Sequence, residues 1–319
     1  MRAARFHQWG AVPVAEEVPE PVRGDGEVLV RVRAAAVAHL DVTVATGGFG
    51  LKPSLPYIGG VEGAGVVLEA EAGSRIAPGA RVMLRGGGLG VLRDGTWAER
   101  VSVPPKAVTV LASPLPPEVA ATFFVPATTA YVALHDVARV RPGEHVVVVG
   151  AAGAVGSMTA QLALAAGAQV TGVVGRAARL ADVPAGVAAV DLSSADAAAS
   201  LARTRPASLL IDTLGGDGLI SRTRWVRPGG RAVVIGYVTG PRTEIDLPSW
   251  LLDDVALLPL NMIRQERRAR EVAPELVARL AAGELRVAVE RFGIADIARA
   301  LEALRSGRIR GRAVVVPAG

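Results

Sequence analysis

Short apolar runs alternate with turn residues over the first 120 residues of the chain. The runs are rich in valine and alanine, and each is short for a helix. They cover residues 2–6, 27–37, 63–69, 80–84 and 98–103. Turn sequences such as RGDG and APG separate them. This spacing predicts a mostly-β domain over residues 1–120, with a loop at 86–95.

The pattern changes to alternating strands and helices further along the chain. Helical periodicity runs over residues 118–138, and valine-rich strands are predicted at 146–149, 169–174, 187–191, 208–211 and 231–235, with helices between them. Such alternation predicts an α/β domain with a doubly wound parallel sheet over residues 121–262. A tail at 263–319 contains helices at 271–282 and 294–304 and strands at 285–290 and 311–316, and it can complete either domain.

A glycine turn follows the strand at 146–149 and opens a small-residue helix. Ala151-x-Gly153-x-x-Gly156 stands where a dinucleotide-binding strand–turn–helix unit has G-x-G-x-x-G. Glycines there let the backbone approach a pyrophosphate and let the helix pack on the strand. The predicted cofactor contacts in this turn are Gly150, Ala152, Gly153, Ala154, Val155 and Gly156.

The end of the second strand indicates which dinucleotide binds. An NAD site usually has Asp or Glu there, but this chain has Gly175 and Arg176, with Arg179 one turn further on. A guanidinium matches a 2′-phosphate in charge and geometry, so the sequence favours NADPH over NADH. Further contacts are predicted where later strands end, at Thr213, Leu214, Gly236, Tyr237 and Val238.

Composition narrows the choice of function. The 319-residue chain carries a formal charge of +5, and nearly all of its basic residues are scattered arginines, so we expect no nucleic-acid partner. It contains no cysteine, which excludes a thiolate nucleophile and cysteine-ligated zinc. No long uncharged apolar segment or signal core occurs, so we expect a cytoplasmic protein without a membrane contact.

Taken together, the motifs resemble the zinc-independent quinone oxidoreductases of the medium-chain dehydrogenase/reductase superfamily. The resemblance rests on LPYIGGVEGAG at 55–65, GAAGAVG at 150–156, DTLGG at 212–216 and GR at 311–312. It implies a GroES-like, mostly-β catalytic domain formed by both chain ends, residues 1–120 and the return segment 263–319, around a Rossmann domain at 121–262. It also implies NADPH in the cleft between the domains, with Thr129 beside the nicotinamide, and a homodimer formed through the cofactor domains.

The positions that hold catalytic zinc in the superfamily lack zinc ligands here. Val61 stands at the place of the histidine and Ala38 at that of the first cysteine. We therefore expect no metal, and hydride transfer to a small molecule that is already electrophilic, such as a quinone or an enone.

Candidate catalytic residues lie between residues 38 and 61. His39 and Asp41 follow a strand, and either side chain could orient or protonate a substrate. The alternative is that Asp41 caps a helical turn and that His39 is a surface group. Tyr57 is a candidate hydrogen-bond donor to a carbonyl oxygen, or else a core aromatic. Two departures from the family, Ala38 for asparagine and Phe49 for tyrosine, make the predicted pocket more apolar.

Three functions fit this sequence. The first is an NADPH-dependent quinone reductase, and the second is an NADPH-dependent reductase of activated C=C bonds in enals or enones. The third is a non-catalytic NADPH-binding regulatory protein, including one that touches RNA, against which the scattered arginines argue.

Overall fold

A computed structural model describes residues 1–47 and 50–317 of the chain. The strands are β1 (Arg2–Phe6), β2 (Val14–Glu17), β3 (Val28–Val37), β4 (Tyr57–Ile58), β5 (Glu62–Glu69), β6 (Arg81–Arg85), β7 (Arg100–Val103), β8 (Val108–Val110), β9 (His145–Val149), β10 (Gln169–Val174), β11 (Ala188–Asp191), β12 (Ala207–Asp212), β13 (Val226–Val234), β14 (Ala256–Pro259), β15 (Val289–Gly293) and β16 (Arg312–Val316). The helices are α1 (His39–Ala45), α2 (Pro117–Ala120), α3 (Phe124–Tyr131), α4 (Ala154–Ala165), α5 (Ala195–Thr204), α6 (Leu219–Thr223), α7 (Leu247–Asp253), α8 (Glu266–Ala281) and α9 (Ile297–Arg305). A π-helical segment, Val132–Val137, follows α3 directly.

The chain folds into two compact units. The first consists of Met1–Phe124 and the segment that begins at Val287, and the second is Val125–Arg286. The sequence predicts the return to the first domain at residue 263, whereas α8 lies within the second unit. There Arg268 of α8 donates hydrogen bonds to the Asp136 carboxylate at 2.9 and 3.2 Å.

The first unit contains the predicted β-rich domain. Its larger sheet has the order β15-β16-β3-β5-β6-β8, with β7 also paired to β3, and a smaller sheet has the order β2-β1-β4. Strand β3 is buried along most of its length because other strands flank it. Its valines pack with Phe6, Trp97 and Phe292 in one apolar core.

The second unit is a parallel sheet with strand order β11-β10-β9-β12-β13-β14. Counted from β9, this order is 3-2-1-4-5-6, that of a Rossmann fold. The strands are valine-rich and alternate with helices, so both faces of the central strands are buried. The predicted fold class, a GroES-like domain with a Rossmann sheet, is confirmed.

Three predicted elements differ from those in the structure. The helix predicted over 118–138 is interrupted before Pro126, which has no N–H to continue the helical hydrogen bonds. The strand predicted at 231–235 begins earlier, at Val226, because β13 takes in residues 227–230 through a shift in its register with β12. The strand predicted at 285–290 is observed at Val289–Gly293, where pairing with β16 buries Phe292.

Within residues 1–47 and 50–317, no helix is long and apolar enough to cross a bilayer.

Candidate functional site

The turn between β9 and α4 leaves no room for side chains at two of its glycines. Gly150 adopts a φ of 75°, and a Cβ there would overlap Thr213 Oγ1. A Cβ at Gly156 would overlap the Gly150 carbonyl oxygen, because α4 packs directly on the turn. Both positions therefore require glycine, for the steric reason that makes glycine part of a dinucleotide-binding turn.

Helix α4 presents an N-terminus that no side chain caps. Gly153 is the N-cap residue, and the first turn contains no carboxylate. Ala151 and Ala152 are buried beneath the turn, whereas Ala154 and Val155 are half-buried at its rim. The positive end of this 12-residue helix and its free N–H groups suit a phosphate, so these residues fit a dinucleotide pyrophosphate.

The two arginines after β10 have different surroundings. Gly175 and Arg176 are exposed at the strand end. Arg179 folds back onto the glycine turn, where its Nη2 donates to the Ala152 carbonyl at 3.0 Å, and its Nε lies 2.9 Å from the Asp182 carboxylate. Arg176 is therefore the more exposed of the two, and Arg179 holds the glycine turn.

The loops after β12 and β13 lie next to the glycine turn. Thr213 Oγ1 donates to the Val149 carbonyl at 2.8 Å, which ties the end of β12 to the end of β9. The Thr239 N–H donates to the Leu214 carbonyl at 3.0 Å, which ties β12 to the loop after β13. In that loop, beyond Gly236, Tyr237 is 75% exposed and Val238 is also exposed. The predicted residues at the strand ends thus lie along one edge of the sheet, the edge formed by the carboxyl ends of its parallel strands. Thr129, by contrast, is buried in α3.

Asp212, the first residue of the DTLGG motif, is a buried carboxylate at the end of β12, where the cofactor is expected; the sequence predicts no contact for its side chain. It is 0% exposed, and its Oδ1 accepts hydrogen bonds from the N–H groups of Leu214 and Gly215 at 2.9 and 2.8 Å. Its other oxygen pairs with Arg222 of α6. The available signal was an aspartate ending an apolar strand, ten residues before an arginine.

In the first unit, Asp41 holds the start of α1. It is 3% exposed, and its two carboxylate oxygens accept from the N–H groups of Ala38 at 2.8 Å and Val61 at 3.0 Å. Burial raises the pKa of Asp41 to about 7, with the Glu62 charge adding to the rise and backbone hydrogen bonds opposing it. These contacts fit a capping role for Asp41, and a catalytic role for its side chain stays a prediction.

His39 differs from Asp41 because it is exposed, at the first residue of α1. Desolvation of the ring and the nearby Arg312 charge lower the pKa of His39, so its neutral form is favoured. A neutral imidazole can donate or accept a hydrogen bond. His39 is thus the accessible polar group of the predicted catalytic set.

Tyr57 lies in an aromatic cluster of the first unit and is 2% exposed. Its ring stacks on Phe6 with centroids 5.1 Å apart and lies 5.7 Å from Trp9. Desolvation raises the pKa of its hydroxyl, so the phenol stays protonated. This environment favours the packing role, and a hydrogen bond from Tyr57 to a substrate stays a prediction.

A buried ion cluster lies near His39 and Asp41. Glu62 is buried on β5, and its carboxylate lies 3.2 Å from Arg312 of β16 and 3.5 Å from Arg85 of β6. The Arg85 guanidinium also lies over the Phe124 ring, 4.5 Å from its centroid. The cluster joins three strands; Arg85 was not recognised from the sequence because it ends an ordinary apolar run.

No group of three or more His, Cys, Asp or Glu side chains suited to a metal ion occurs in the described part of the chain. Ala38, which stands at the first cysteine place of the zinc enzymes, is buried. Phe49, the other predicted departure from the family, lies outside the described residues.

Family models match both units. Residues 24–114 match the alcohol dehydrogenase GroES-like domain, and residues 185–315 match the zinc-binding dehydrogenase model.

Individual proteins also match, over 80–99% of the chain in the following three cases. An alcohol dehydrogenase of Geobacillus stearothermophilus is 29% identical over 99% of this chain and 98% of its own length. Quinone oxidoreductase-like protein 2 of Rattus norvegicus is 30% identical over 80% of this chain and 73% of its own. Among solved structures, a quinone oxidoreductase of Pseudomonas syringae pv. Tomato DC3000 superposes with a TM-score of 0.84 at 27% identity, covering 99% of both chains.

Proposed function

This chain belongs to the medium-chain dehydrogenase/reductase superfamily of oxidoreductases, and we propose that it is an NADPH-dependent reductase of quinones. Within this proposal, the Rossmann unit binds the cofactor and the GroES-like unit supplies polar groups for the substrate.

The observation that carries the NADPH preference is the end of β10. Residues 174–181 contain no Asp or Glu to hold a ribose 2′-hydroxyl, and Arg176 is exposed there. A guanidinium that binds a 2′-phosphate makes charge-assisted hydrogen bonds, which are absent with NADH. The uncapped start of α4 suits the pyrophosphate of either cofactor.

When bound, the reduced nicotinamide supplies a hydride. In the balanced reaction, quinone, NADPH and one proton give hydroquinone and NADP⁺. The quinone is already electrophilic, so the chain has only to position it and to deliver a proton from solvent. His39, exposed and favoured in its neutral form, is our candidate for a hydrogen bond to a quinone oxygen. The names of the rat and Pseudomonas relatives support the quinone as acceptor.

Ala38 favours a second candidate function. Its methyl group stands, buried, at a place where the resemblance leads us to expect asparagine, so no amide polarises a quinone oxygen from this position. An enal or enone needs a single polarised oxygen, which one group can satisfy. Reduction of activated C=C bonds is therefore the alternative that the residues favour.

We also propose that the protein forms a homodimer through its Rossmann unit. Strand β14 is the edge of the parallel sheet, and beside it in sequence, α7 exposes Leu251 and Leu252. An exposed strand edge flanked by apolar side chains is a site for pairing with a second copy. Sedimentation analysis of the wild type and of Leu252→Glu tests this proposal, and a wild-type monomer at micromolar concentration contradicts it.

The direct test is NADPH oxidation by the purified protein against a panel of quinones and a panel of enals and enones, with NADH in parallel. Turnover of quinones with a preference for NADPH supports the proposed function. Turnover of the alkenes alone supports the alternative, and binding of NADPH without turnover of either panel contradicts both.

A further inference from the structure

Arg222 forms hydrogen bonds with Asp212 and Gly215, on either side of the loop residues that follow β12. Its Nε donates to Asp212 Oδ2 at 2.6 Å, and its Nη2 donates to the Gly215 carbonyl at 2.7 Å. A Cβ at Gly218 would overlap the guanidinium, so glycine at that position makes room for it. Because Asp212 also binds the N–H groups of Leu214 and Gly215, the loop is held by side chains from inside the unit.

This loop is joined in turn to the loop after β13. Gly215 adopts a φ of 64°, and a Cβ there would lie 2.5 Å from the Gly236 carbonyl oxygen. Thr239 Oγ1 donates to the Gly215 carbonyl at 2.9 Å, so this oxygen binds both Thr239 and Arg222. A shift of Arg222 would therefore move the loops after β12 and β13 together.

The sheet order tells which half of the cofactor these loops would meet. The glycine turn at the end of β9 suits the pyrophosphate. Strand β10, on one side of β9, is followed by Arg176, the proposed contact of the adenosine 2′-phosphate. Strands β12 and β13 lie on the other side of β9. The half of the cofactor beyond the pyrophosphate, which carries the nicotinamide, must extend toward them.

We infer that Arg222 is a positioning residue for the nicotinamide half of the cofactor, acting through Asp212 and the backbone of Gly215. This inference rests on the proposed function, since it presumes that a nicotinamide dinucleotide binds this edge. Arginine is required because one planar guanidinium reaches a carboxylate and a carbonyl at once, which a lysine ammonium does with poorer geometry.

The test compares two ligands on four proteins: wild type, Arg222→Lys, Arg222→Met and the control Arg224→Met. Arg224 follows the same helix, but it is largely exposed and pairs with Asp253. The ligands are NADPH and adenosine 2′,5′-bisphosphate, which has the 2′-phosphate but no nicotinamide. We expect Arg222→Met to weaken NADPH binding by about tenfold, Arg222→Lys by less, and neither to change binding of the bisphosphate. The control should bind both ligands as the wild type does.

Unchanged NADPH binding by both Arg222 variants overturns the inference, as does equal weakening of both ligands, which indicates general damage. Removing the arginine leaves the Asp212 carboxylate buried without a cation. If Arg222→Met does not fold, the double variant D212N/R222M takes its place in the same comparison.

Failure of the proposed function is a separate outcome. If the wild type binds neither NADPH nor NADH, the proposed function and this inference are both wrong. The effect of Arg222 on the loop after β12 can still be measured in that case. Hydrogen exchange at the Leu214 and Gly215 amides in the cofactor-free protein should then be faster in Arg222→Lys than in Arg224→Met.

Discussion

The carboxylate of Asp41 accepts a hydrogen bond from the backbone N–H of Val61, 3.0 Å away and 20 residues further along the chain. The same carboxylate caps α1 through Ala38. One buried side chain therefore fixes the start of α1, which carries His39, relative to the segment that leads into β5. Asp41 controls the geometry of the candidate site from inside the core.

The raised pKa of Asp41 predicts a pH dependence of stability. With a pKa of about 7 in the folded state against an ordinary value of 3.8, the folded protein binds the proton more tightly than the unfolded chain does. This contribution is complete below pH 4 and is lost as the pH rises to about 7, at no more than about 1.4 kcal/mol per pH unit. Urea unfolding between pH 4 and 8 should show the free energy of unfolding of the wild type falling toward that of Asp41→Asn over this window. Parallel curves for the two proteins would contradict the prediction.

Gly156 and Gly175 form a matched pair for testing the glycine turn. A Cβ at Gly156 would overlap the Gly150 carbonyl oxygen, whereas nothing lies within 4 Å of a Cβ at Gly175. Alanine normally stabilises a helix interior relative to glycine by about 1 kcal/mol, yet we expect Gly156→Ala to destabilise the protein by about 1–3 kcal/mol through overpacking. Gly175→Ala should change stability by less than about 0.5 kcal/mol. Thermal unfolding of both variants measures the contrast, and equal effects would exclude a tight turn.

Two substitutions at Tyr57 distinguish a packing role of its ring from a catalytic role of its hydroxyl. Because its ring stacks within the aromatic cluster, we expect Tyr57→Ala to destabilise the protein by about 3–5 kcal/mol. Tyr57→Phe keeps the ring, so its stability should stay within about 1 kcal/mol of the wild type, and its kcat/KM for the reduced acceptor should stay within about threefold. A hundredfold fall in kcat/KM for a well-folded Tyr57→Phe would instead indicate that the Tyr57 hydroxyl takes part in catalysis.

Arg176 is the proposed contact that distinguishes the cofactors. We expect Arg176→Ala to raise the KM for NADPH by about tenfold or more, since a charge-assisted hydrogen bond is lost, and to leave the KM for NADH nearly unchanged. Arg179→Ala is the contrasting variant: Arg179 binds the Ala152 carbonyl, so its loss should affect both cofactors alike. Steady-state kinetics gives the KM of each variant for NADPH and for NADH. An equal rise in both KM values for Arg176→Ala would show that Arg176 does not determine the cofactor preference.

The Rossmann unit was the most predictable part of the chain. Valine-rich strands separated by helices specify a parallel sheet, and Gly150 and Gly156 mark a turn whose steric requirement is local. The same local signal did not reveal Arg222, because its partner Asp212 lies on another element and arginines on helices are usually solvated. The contacts of Asp41 and Glu62 were equally hidden, because their partners Val61, Arg85 and Arg312 lie on other segments that the fold brings close, which a linear pattern does not record.

The order in which the chain is synthesised has a consequence for the first unit. Strand β16 pairs with residues 35–37 of β3, yet the whole Rossmann unit lies between them in the sequence. While the protein emerges from the ribosome, the edge of β3 at these residues stays unpaired until the Rossmann unit has been made. We expect the nascent first unit to depend on chaperones during that interval, and ribosome-bound chains that stop before β16 to be sensitive to protease in residues 1–124 and resistant in the Rossmann unit.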